Sequence, residues 1–449
     1  MKYLIHSLII VLGSLSISCD KAGGDVNPQN IDNQSKSSSS YNSNLLKDYA
    51  EMQLLLISNT PGYSAPVAAR SIGYLSMAAY ATVSPGINGQ PTLNTVLPQY
   101  ADIPLPEPNK KYHWGIATNA GQQTLMKLLY ETTGDVFKAR VDSLSKRYNS
   151  AYEIGTDIDV VTRSINYGNE VAKYFWEKSK KDNGHAAYNN NFPTSNNVFT
   201  SASKWLPTGS QKNPLLPQWE KVNSMVLANQ KLAVAKPIIF SFKADSDFFK
   251  EAKQVVENSK SLSEDELKIV QFWEDPTGTM TSAGHYFSLI TDLISKENYS
   301  LDKAAILQFK VGIALHDTYV MAWKNKYTHN IMRPETYIKN SIDPTWTPNI
   351  SSPDYPDYIS EKSALSKAVS TILHAEFGEN YVFEDNARPN KYSKRAFKGF
   401  ESMTEEVISA EVMAGTSFPI SILDGAEQGR KIAENILALP LTAIPTVAE

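Results

Sequence analysis

Cysteine is nearly absent from this sequence, since Cys19 is the only one among 449 residues. A single thiol cannot form an intramolecular disulfide, so such cross-links are excluded. An excess of positive charge is absent as well, because 43 lysines and arginines stand against 47 aspartates and glutamates, for a formal net charge of −4. We find no basic stripe along the chain, and we predict that it does not bind nucleic acid.

The apolar run at the N-terminus is too short to cross a bilayer. It follows Lys2 and holds roughly a dozen apolar residues, whereas about 20 are needed for a transmembrane helix. A lysine, an apolar run and small residues in this order are typical of a signal peptide, which we assign to residues 1–19. The segment LSIS followed by Cys19 resembles a bacterial lipobox, in which the cysteine is acylated and becomes the mature N-terminus. The alternative is an ordinary secretion signal with an incidental cysteine.

From this resemblance we expect a lipid-anchored protein of the bacterial cell envelope, either periplasmic or surface-exposed, which contacts the membrane through Cys19. Residues 20–45 are polar, rich in serine and asparagine, and without hydrophobic period. They predict a flexible linker, because such a segment cannot bury a core. Residues 46–445 then form the folded domain.

Apolar residues recur at helical spacing through most of this domain. Strand signals are scarce, and the best of them is the short segment KPIIFSF at 236–242. No repeat of about 34 residues occurs, which argues against a tetratricopeptide array. We therefore predict a mainly α-helical bundle. Its clearest helical segments are 45–59, 67–83, 115–133, 160–181, the run after the capping-box sequence Ser263-x-x-Glu266, and 302–325.

Two cations at a break between helices form the densest chemical signal. Lys326 lies at the end of the helical run 302–325, and Arg333 follows seven residues later, directly before Pro334. Because the residue before a proline is displaced from helical geometry, Arg333 should lie where the helix breaks. A lysine and an arginine in this arrangement can bind one oxyanion, the arginine in bidentate fashion. Two unrelated surface cations are the alternative interpretation of this segment alone.

A second anion signal lies in DYPDYISEKSA, residues 354–364, where Ser360 opens a predicted helix. The first turn of a helix presents unpaired backbone N–H groups and a partial positive charge, which attract anions. Here, however, the next two residues are Glu361 and Lys362, a carboxylate beside an ammonium group.

These motifs resemble those of the vanadium-dependent haloperoxidases and the related type 2 phosphatidic acid phosphatases. The likeness extends along nearly the whole mature chain, from TPGYSAPVAARSIGYLSMAAYATVSPG through K-x6-R-P to GAEQGRKIA. The resemblance implies a vanadium haloperoxidase-like helical bundle. It also implies a site in which a lysine, two arginines, a serine and a glycine N–H hold the oxygens of vanadate or phosphate. One histidine bonds the metal or attacks phosphorus, and a second histidine is the acid–base partner.

When the family motifs are compared with this sequence residue by residue, three oxyanion-binding positions are matched. Lys326, Arg333 and Ser360 match the lysine, the first arginine and the serine of the family patterns. Glu361 stands where the family has its glycine, and Lys362 stands where it has the acid–base histidine. The oxyanion site is therefore expected to be degenerate in its second motif.

The third motif departs further from the family pattern. The register set by the following D-G-A-E-Q-G-R-K places Glu411 at the second arginine and Ser417 at the metal-bound or nucleophilic histidine. With both histidines replaced, we predict no catalytic residue, no metal, no bound vanadate and a catalytically inactive surface lipoprotein. We expect Glu361 and Glu411 to form internal salt bridges with the cations of this region, in place of a bound anion.

Two other functions stay open on the sequence. One is an active haloperoxidase or phosphatase with a rebuilt oxyanion site, which would use vanadate if it is a haloperoxidase. The other is a glycan- or nutrient-binding lipoprotein, suggested by 7 tryptophans and 23 tyrosines, and exposed aromatic clusters would support it. The sequence also leaves open an oxyanion or small-molecule ligand and association into homo-oligomers.

Overall fold

The computed structural model describes residues 35–194, 203–276, 278–387 and 391–441. The signal peptide, Cys19 and linker residues 20–34 lie outside the described residues, and so do residues 442–445 of the predicted domain. Within the described ranges, no helix is both long enough and apolar enough to span a membrane.

Helices dominate the described residues, as the sequence pattern predicts, and the two strands are short. β1 (Phe383–Asp385) pairs antiparallel with β2 (Arg395–Phe397). Helices of the N-terminal half are α1 (Asn44–Asn59), α2 (Ala65–Val83), α3 (Leu93–Val96), α4 (Trp114–Leu129), α5 (Asp135–Tyr152), α6 (Ile158–Ser179) and α7 (Leu227–Gln230). Those of the C-terminal half are α8 (Asp247–Asn258), α9 (Glu264–Phe272), α10 (Thr281–Lys296), α11 (Leu301–His329), α12 (Pro334–Ser341), α13 (Glu361–Phe377), α14 (Phe400–Ala414) and α15 (Pro419–Leu437).

Helix α11 forms the centre of the bundle and packs mainly against α2. Both helices are buried on nearly every side, which is the pattern of a helix inside a large core rather than on its surface. The two backbones approach closely at Gly312, where an added Cβ would overlap the side chain of Ser76. A second close pair is α13 with α15, and it positions the region that contains Ser360.

The strand predicted at 236–242 is wrong, because these residues form neither a strand nor a helix. Tertiary packing overrides the local β-propensity here. The Phe240 ring lies 5.0 Å from that of Phe248 and 5.9 Å from that of Tyr337, so this side chain packs on helices rather than in a sheet. The Tyr337 hydroxyl donates to the carbonyl of Ser241 at 2.6 Å, which occupies a backbone group that a sheet would need.

The linker predicted for residues 20–45 ends earlier than expected, because residues 35–45 pack on the domain. The hydroxyl of buried Ser38 donates to the carbonyl of Val83 at 2.8 Å. Further along, the amide of Leu301 donates to the carbonyl of Tyr41 at 2.8 Å. Helix α1 already begins at Asn44. The polar composition of this segment conceals these contacts, since they are made mostly by backbone and hydroxyl groups.

Candidate functional site

Lys326 lies in the last turn of α11 and is completely buried. Its ammonium group donates to the carbonyls of Asp357 and Ile359 at 2.7 Å each, and to that of Pro356 at 3.2 Å. A carboxylate oxygen of Glu361 lies 3.0 Å away. Burial lowers the pKa of Lys326 from its usual value, while the Glu361 carboxylate opposes that shift. An ammonium group has three N–H donors, so these partners already occupy all of them.

Arg333 is the N-cap residue of α12, with extended backbone geometry before Pro334, as the proline predicts. Its side chain is 2% exposed, and one guanidinium nitrogen lies 3.2 Å from a carboxylate oxygen of Asp357. All three guanidinium nitrogens donate hydrogen bonds. The remaining acceptors are the carbonyls of Tyr355 at 2.8 Å, Thr416 at 3.1 Å and Pro356 at 3.3 Å, and the hydroxyl of Ser417 at 3.2 Å.

Glu361 is the first residue of α13 and joins the two cations electrostatically. One oxygen contacts Lys326, and the other accepts a hydrogen bond from the Tyr355 hydroxyl at 2.5 Å. Burial by itself would raise the pKa of this carboxyl, but the positive charges of Lys326 and Arg333 outweigh it and lower the pKa to about 2. The group is therefore a carboxylate at neutral pH.

Glu411, on α14, also contacts the N-terminus of α13. It accepts hydrogen bonds from the Ser360 hydroxyl at 2.6 Å and from the Ser363 amide at 3.1 Å. Burial and the negative charge of Glu361 raise the pKa of Glu411 to about 7. Among the described residues, no lysine or arginine forms an ion pair with this carboxyl. The prediction of a salt bridge is confirmed for Glu361. It is wrong for Glu411, whose carboxyl is held by the Ser360 hydroxyl and the Ser363 amide instead.

Lys362 and Ser417 bind partners other than those of Lys326. The half-buried Lys362 ammonium donates to the backbone carbonyl of Glu274 at 2.9 Å. Burial lowers the pKa of Lys362, against the opposing effect of Glu411. Ser417 is 4% exposed, and its hydroxyl accepts a hydrogen bond from Arg333.

A cleft of about 580 Å³ opens beside this cluster. Two of its lining residues adjoin the cluster: Glu274, whose carbonyl binds Lys362, and Glu335, two residues after Arg333. Among the described residues, no lysine or arginine lines this cleft, and its other lining residues are mostly hydroxyl- and amide-bearing. The described lining therefore offers an anion no cationic side chain, and Glu335, one of its two carboxylates, is paired with Lys339 at 2.7 Å.

The arrangement of the helices is shared with known enzymes. A family model for the VCPO second helical-bundle domain matches residues 306–442, which include every residue of the cluster. The chain is 27% identical to the protein in a structure described as the first bacterial vanadium-dependent iodoperoxidase, with a TM-score of 0.79 over 88% of this chain and 96% of that one. The chain belongs to the vanadium haloperoxidase superfamily.

More distant superfamily members share the fold alone. The apo form of a bacterial vanadium-dependent chloroperoxidase matches at 13% identity and a TM-score of 0.61, over 83% of this chain and 94% of that one. Its holo form matches at 14% identity and the same TM-score, over 84% and 92%. No curated protein sequence matches the chain.

Sequence reasoning singled out Lys326 and Arg333 and missed Asp357, the carboxylate that pairs with Arg333. Asp357 is completely buried, pairs with Arg333 and accepts a hydrogen bond from the amide of Phe418 at 3.2 Å. It lies within DYPDYISEKSA, so the signal was the second aspartate of that stretch, three residues before Ser360. The carbonyls that bind Lys326 belong to the same stretch. They are backbone groups, which every residue has, so the sequence could not single them out.

Proposed function

We propose that this protein is a non-catalytic member of the vanadium haloperoxidase superfamily whose oxyanion site is filled by its own carboxylates. The observation that carries the proposal is the saturation of Lys326, which donates to three carbonyls and pairs with Glu361. A bound oxyanion would have to displace these partners. Arg333 is engaged in the same way by Asp357 and by carbonyl groups.

The charges of the cluster support this proposal. Lys326 and Arg333 are opposed by Glu361 and Asp357, and Glu411, with a pKa of about 7, offsets part of the charge of Lys362 at neutral pH, so little positive charge is left for an anion. A carboxylate about 4 Å from a bound oxyanion costs on the order of 4 kcal/mol per charge pair at an effective dielectric constant near 20. Vanadate, the cofactor that the family implies, therefore does not fit the residues present.

The positions expected for the histidines argue in the same direction. Lys362 is an ammonium group without a lone pair for general-base chemistry unless its proton is lost. Ser417 is a poor metal ligand compared with an imidazole. As a nucleophile it would need a base. Asp357 is hydrogen-bonded to Ser417, but the same carboxylate also pairs with Arg333 and accepts from the Phe418 amide, so its lone pairs are shared with these donors. We infer that neither haloperoxidase nor phosphatase chemistry is retained.

We further propose that the protein is lipid-anchored in the bacterial cell envelope through Cys19. This rests on the resemblance of LSIS-Cys19 to a lipobox and on the polar segment that follows it. The alternative as a glycan-binding lipoprotein gains no support from the aromatic residues, because every tryptophan and every described tyrosine is buried or half-buried.

Calorimetric titration of the full chain with orthovanadate and with phosphate tests the proposal, run beside a peroxide assay with bromide and with iodide. We expect no binding at millimolar concentrations and no halide oxidation above that of vanadate alone. An active bacterial iodoperoxidase of the superfamily serves as positive control in the same assay. Binding tighter than millimolar together with halide turnover would contradict the proposal and restore an enzyme with a rebuilt site.

A further inference from the structure

Two of the most exposed apolar side chains of the described residues lie close together in sequence. Ile154, in the loop that joins α5 to α6, is 83% exposed, and Ile158, the first residue of α6, is 73% exposed. Single exposed apolar residues are ordinary on protein surfaces, whereas a contiguous apolar patch with a polar rim marks a contact surface.

These isoleucines adjoin the point where the described chain begins. A cleft of about 230 Å³ is lined by Ile154 together with Lys36 and Lys111. The hydroxyl of Ser35 accepts a hydrogen bond from the amide of Tyr112 at 2.9 Å, so the first described residue is fixed beside the same cleft. We call the surface around this cleft, with Ile154 and Ile158, the N-terminal face.

Aromatic side chains line the N-terminal face as well. The rings of Tyr41 and His113 have centroids 4.7 Å apart, and those of His113 and Tyr152 are 4.9 Å apart. Tyrosine combines an apolar ring with a polar hydroxyl and is enriched at membrane–water interfaces. The face therefore carries both the apolar and the amphipathic groups that suit a lipid headgroup layer.

The length of chain between Cys19 and Ser35 limits how far this face can be from an anchored acyl group. Roughly 16 residues span at most ~55 Å when fully extended. The same length as a random coil has an end-to-end distance of about 20–24 Å. If Cys19 is acylated, the N-terminal face is the part of the described domain that is tethered closest to the bilayer.

We propose that the N-terminal face contacts the membrane surface, with Ile154 and Ile158 inserted among the lipid headgroups. The proposal rests on the proposed acylation of Cys19, which holds this face at the bilayer. Contact through apolar side chains then fixes the orientation of the domain, and leaves the cleft beside Lys362 on a different part of the molecule.

Charge does not drive this contact. Lys36 and Lys111 line the cleft, but Asp157 lines it too, and the exposed carboxylates of Glu153 and Asp159 flank the isoleucines. A surface without net positive charge has no preference for anionic lipid. The contact should therefore form on uncharged phosphatidylcholine vesicles and persist at high salt, where exposed charges are screened.

Quenching of tryptophan fluorescence by brominated phosphatidylcholine tests the contact in the full mature chain. The variant Ile154→Trp places a probe on the N-terminal face, and Ile239→Trp places one at a 90%-exposed apolar position on another segment. The native tryptophans are buried or half-buried and give a common background that the wild-type chain measures. We expect added quenching for Ile154→Trp and none for Ile239→Trp.

Equal quenching of the two variants, or none beyond the wild type, would overturn the proposed contact. Mass spectrometry of the N-terminal peptide tests acylation of Cys19 separately. If Cys19 is not acylated, the anchor proposal fails, and the thiol, the only one in the chain, is coupled to a maleimide-bearing lipid instead. The same quenching comparison on the coupled protein then tests whether the N-terminal face contacts the membrane, independently of natural acylation.

Discussion

Glu361 and Glu411 are both buried glutamates beside the N-terminus of α13, and their pKa values move in opposite directions. Glu361 contacts a lysine ammonium at 3.0 Å, and its pKa falls to about 2. Glu411 has hydroxyl and amide donors but no ion pair within the described part of the chain, and its pKa rises to about 7. The difference follows from the partner, because burial raises the pKa of both groups and only Glu361 has cations close enough to reverse that effect.

The substitution Glu361→Gln should destabilise the protein strongly. It removes the carboxylate beside a completely buried ammonium group and leaves that charge uncompensated, which typically costs about 3–5 kcal/mol. Urea unfolding followed by circular dichroism measures the change. Glu401→Gln is the matched control, because Glu401 pairs with Lys367 at 2.6 Å on the surface, where the loss should stay below about 1 kcal/mol. Equal losses in the two variants would contradict a special role for the buried pair.

Glu411 should make stability fall as pH rises through neutrality. Its pKa is about 7 in the folded protein and 4.5 in the reference state, so the folded state binds the proton more tightly. The resulting stabilisation is complete below pH 4.5 and is lost as pH rises through 7, with a magnitude on the order of 3 kcal/mol.

The free energy of unfolding of the wild type and of Glu411→Gln, measured between pH 4.5 and 8, tests this titration. Glutamine keeps an acceptor for the Ser360 hydroxyl but cannot titrate. We expect the fall in stability to be smaller in the variant by about the stated amount. Parallel curves would show that another group is responsible.

Among the secondary-structure elements, those with a clear apolar period were predicted best. The predictions 67–83 and 160–181 correspond to α2 (Ala65–Val83) and α6 (Ile158–Ser179). The capping box of Ser263 and Glu266 is also confirmed, with both reciprocal hydrogen bonds present at the start of α9. These features depend on residues within a few positions of one another, so they can be predicted from the sequence pattern.

The close packing of α13 with α15 should be sensitive to a single methyl group. A Cβ at Gly429 would overlap the carbonyl oxygen of Ala364, whereas one at Gly209 would meet no atom within 4 Å. We expect Gly429→Ala to lower the free energy of unfolding by about 1–3 kcal/mol, because an overpacked helix pair must move apart. Gly209→Ala is the control and should be nearly neutral by the same urea measurement. A neutral Gly429→Ala would mean that the helices can separate at little cost.

For the whole molecule, the folded unit starts before the predicted boundary at residue 46. A chain that begins there lacks the hydrogen bonds of Ser38 to Val83, of Ser43 to Tyr299, and of Leu301 to Tyr41. At about 1 kcal/mol each, their loss should lower the free energy of unfolding by roughly 3 kcal/mol. Urea unfolding of chains that begin at residues 46 and 35 tests this, with the mature full chain as reference. Equal midpoints for the two shortened chains would contradict the structural role of residues 35–45.

Sequence pattern alone is sufficient for the helical class, for the family resemblance, and for the residues that could form an oxyanion site. Apolar periods report local geometry, and Lys326, Arg333 and Ser360 lie in short motifs that can be compared position by position. The replacement of the expected glycine and histidine by Glu361 and Lys362 is equally visible in the chain itself.

Which charges actually meet was decided by tertiary structure. Asp357 rather than Glu411 pairs with an arginine, because folding places residues 333 and 357 side by side and holds Glu411 against Ser360. Burial and ion pairing depend on contacts between residues far apart in the chain, and small differences in them reverse the direction of a pKa shift. The segments 35–45 and 236–242 departed from their predictions for the same reason, since neighbours distant in sequence supplied their hydrogen bonds and packing.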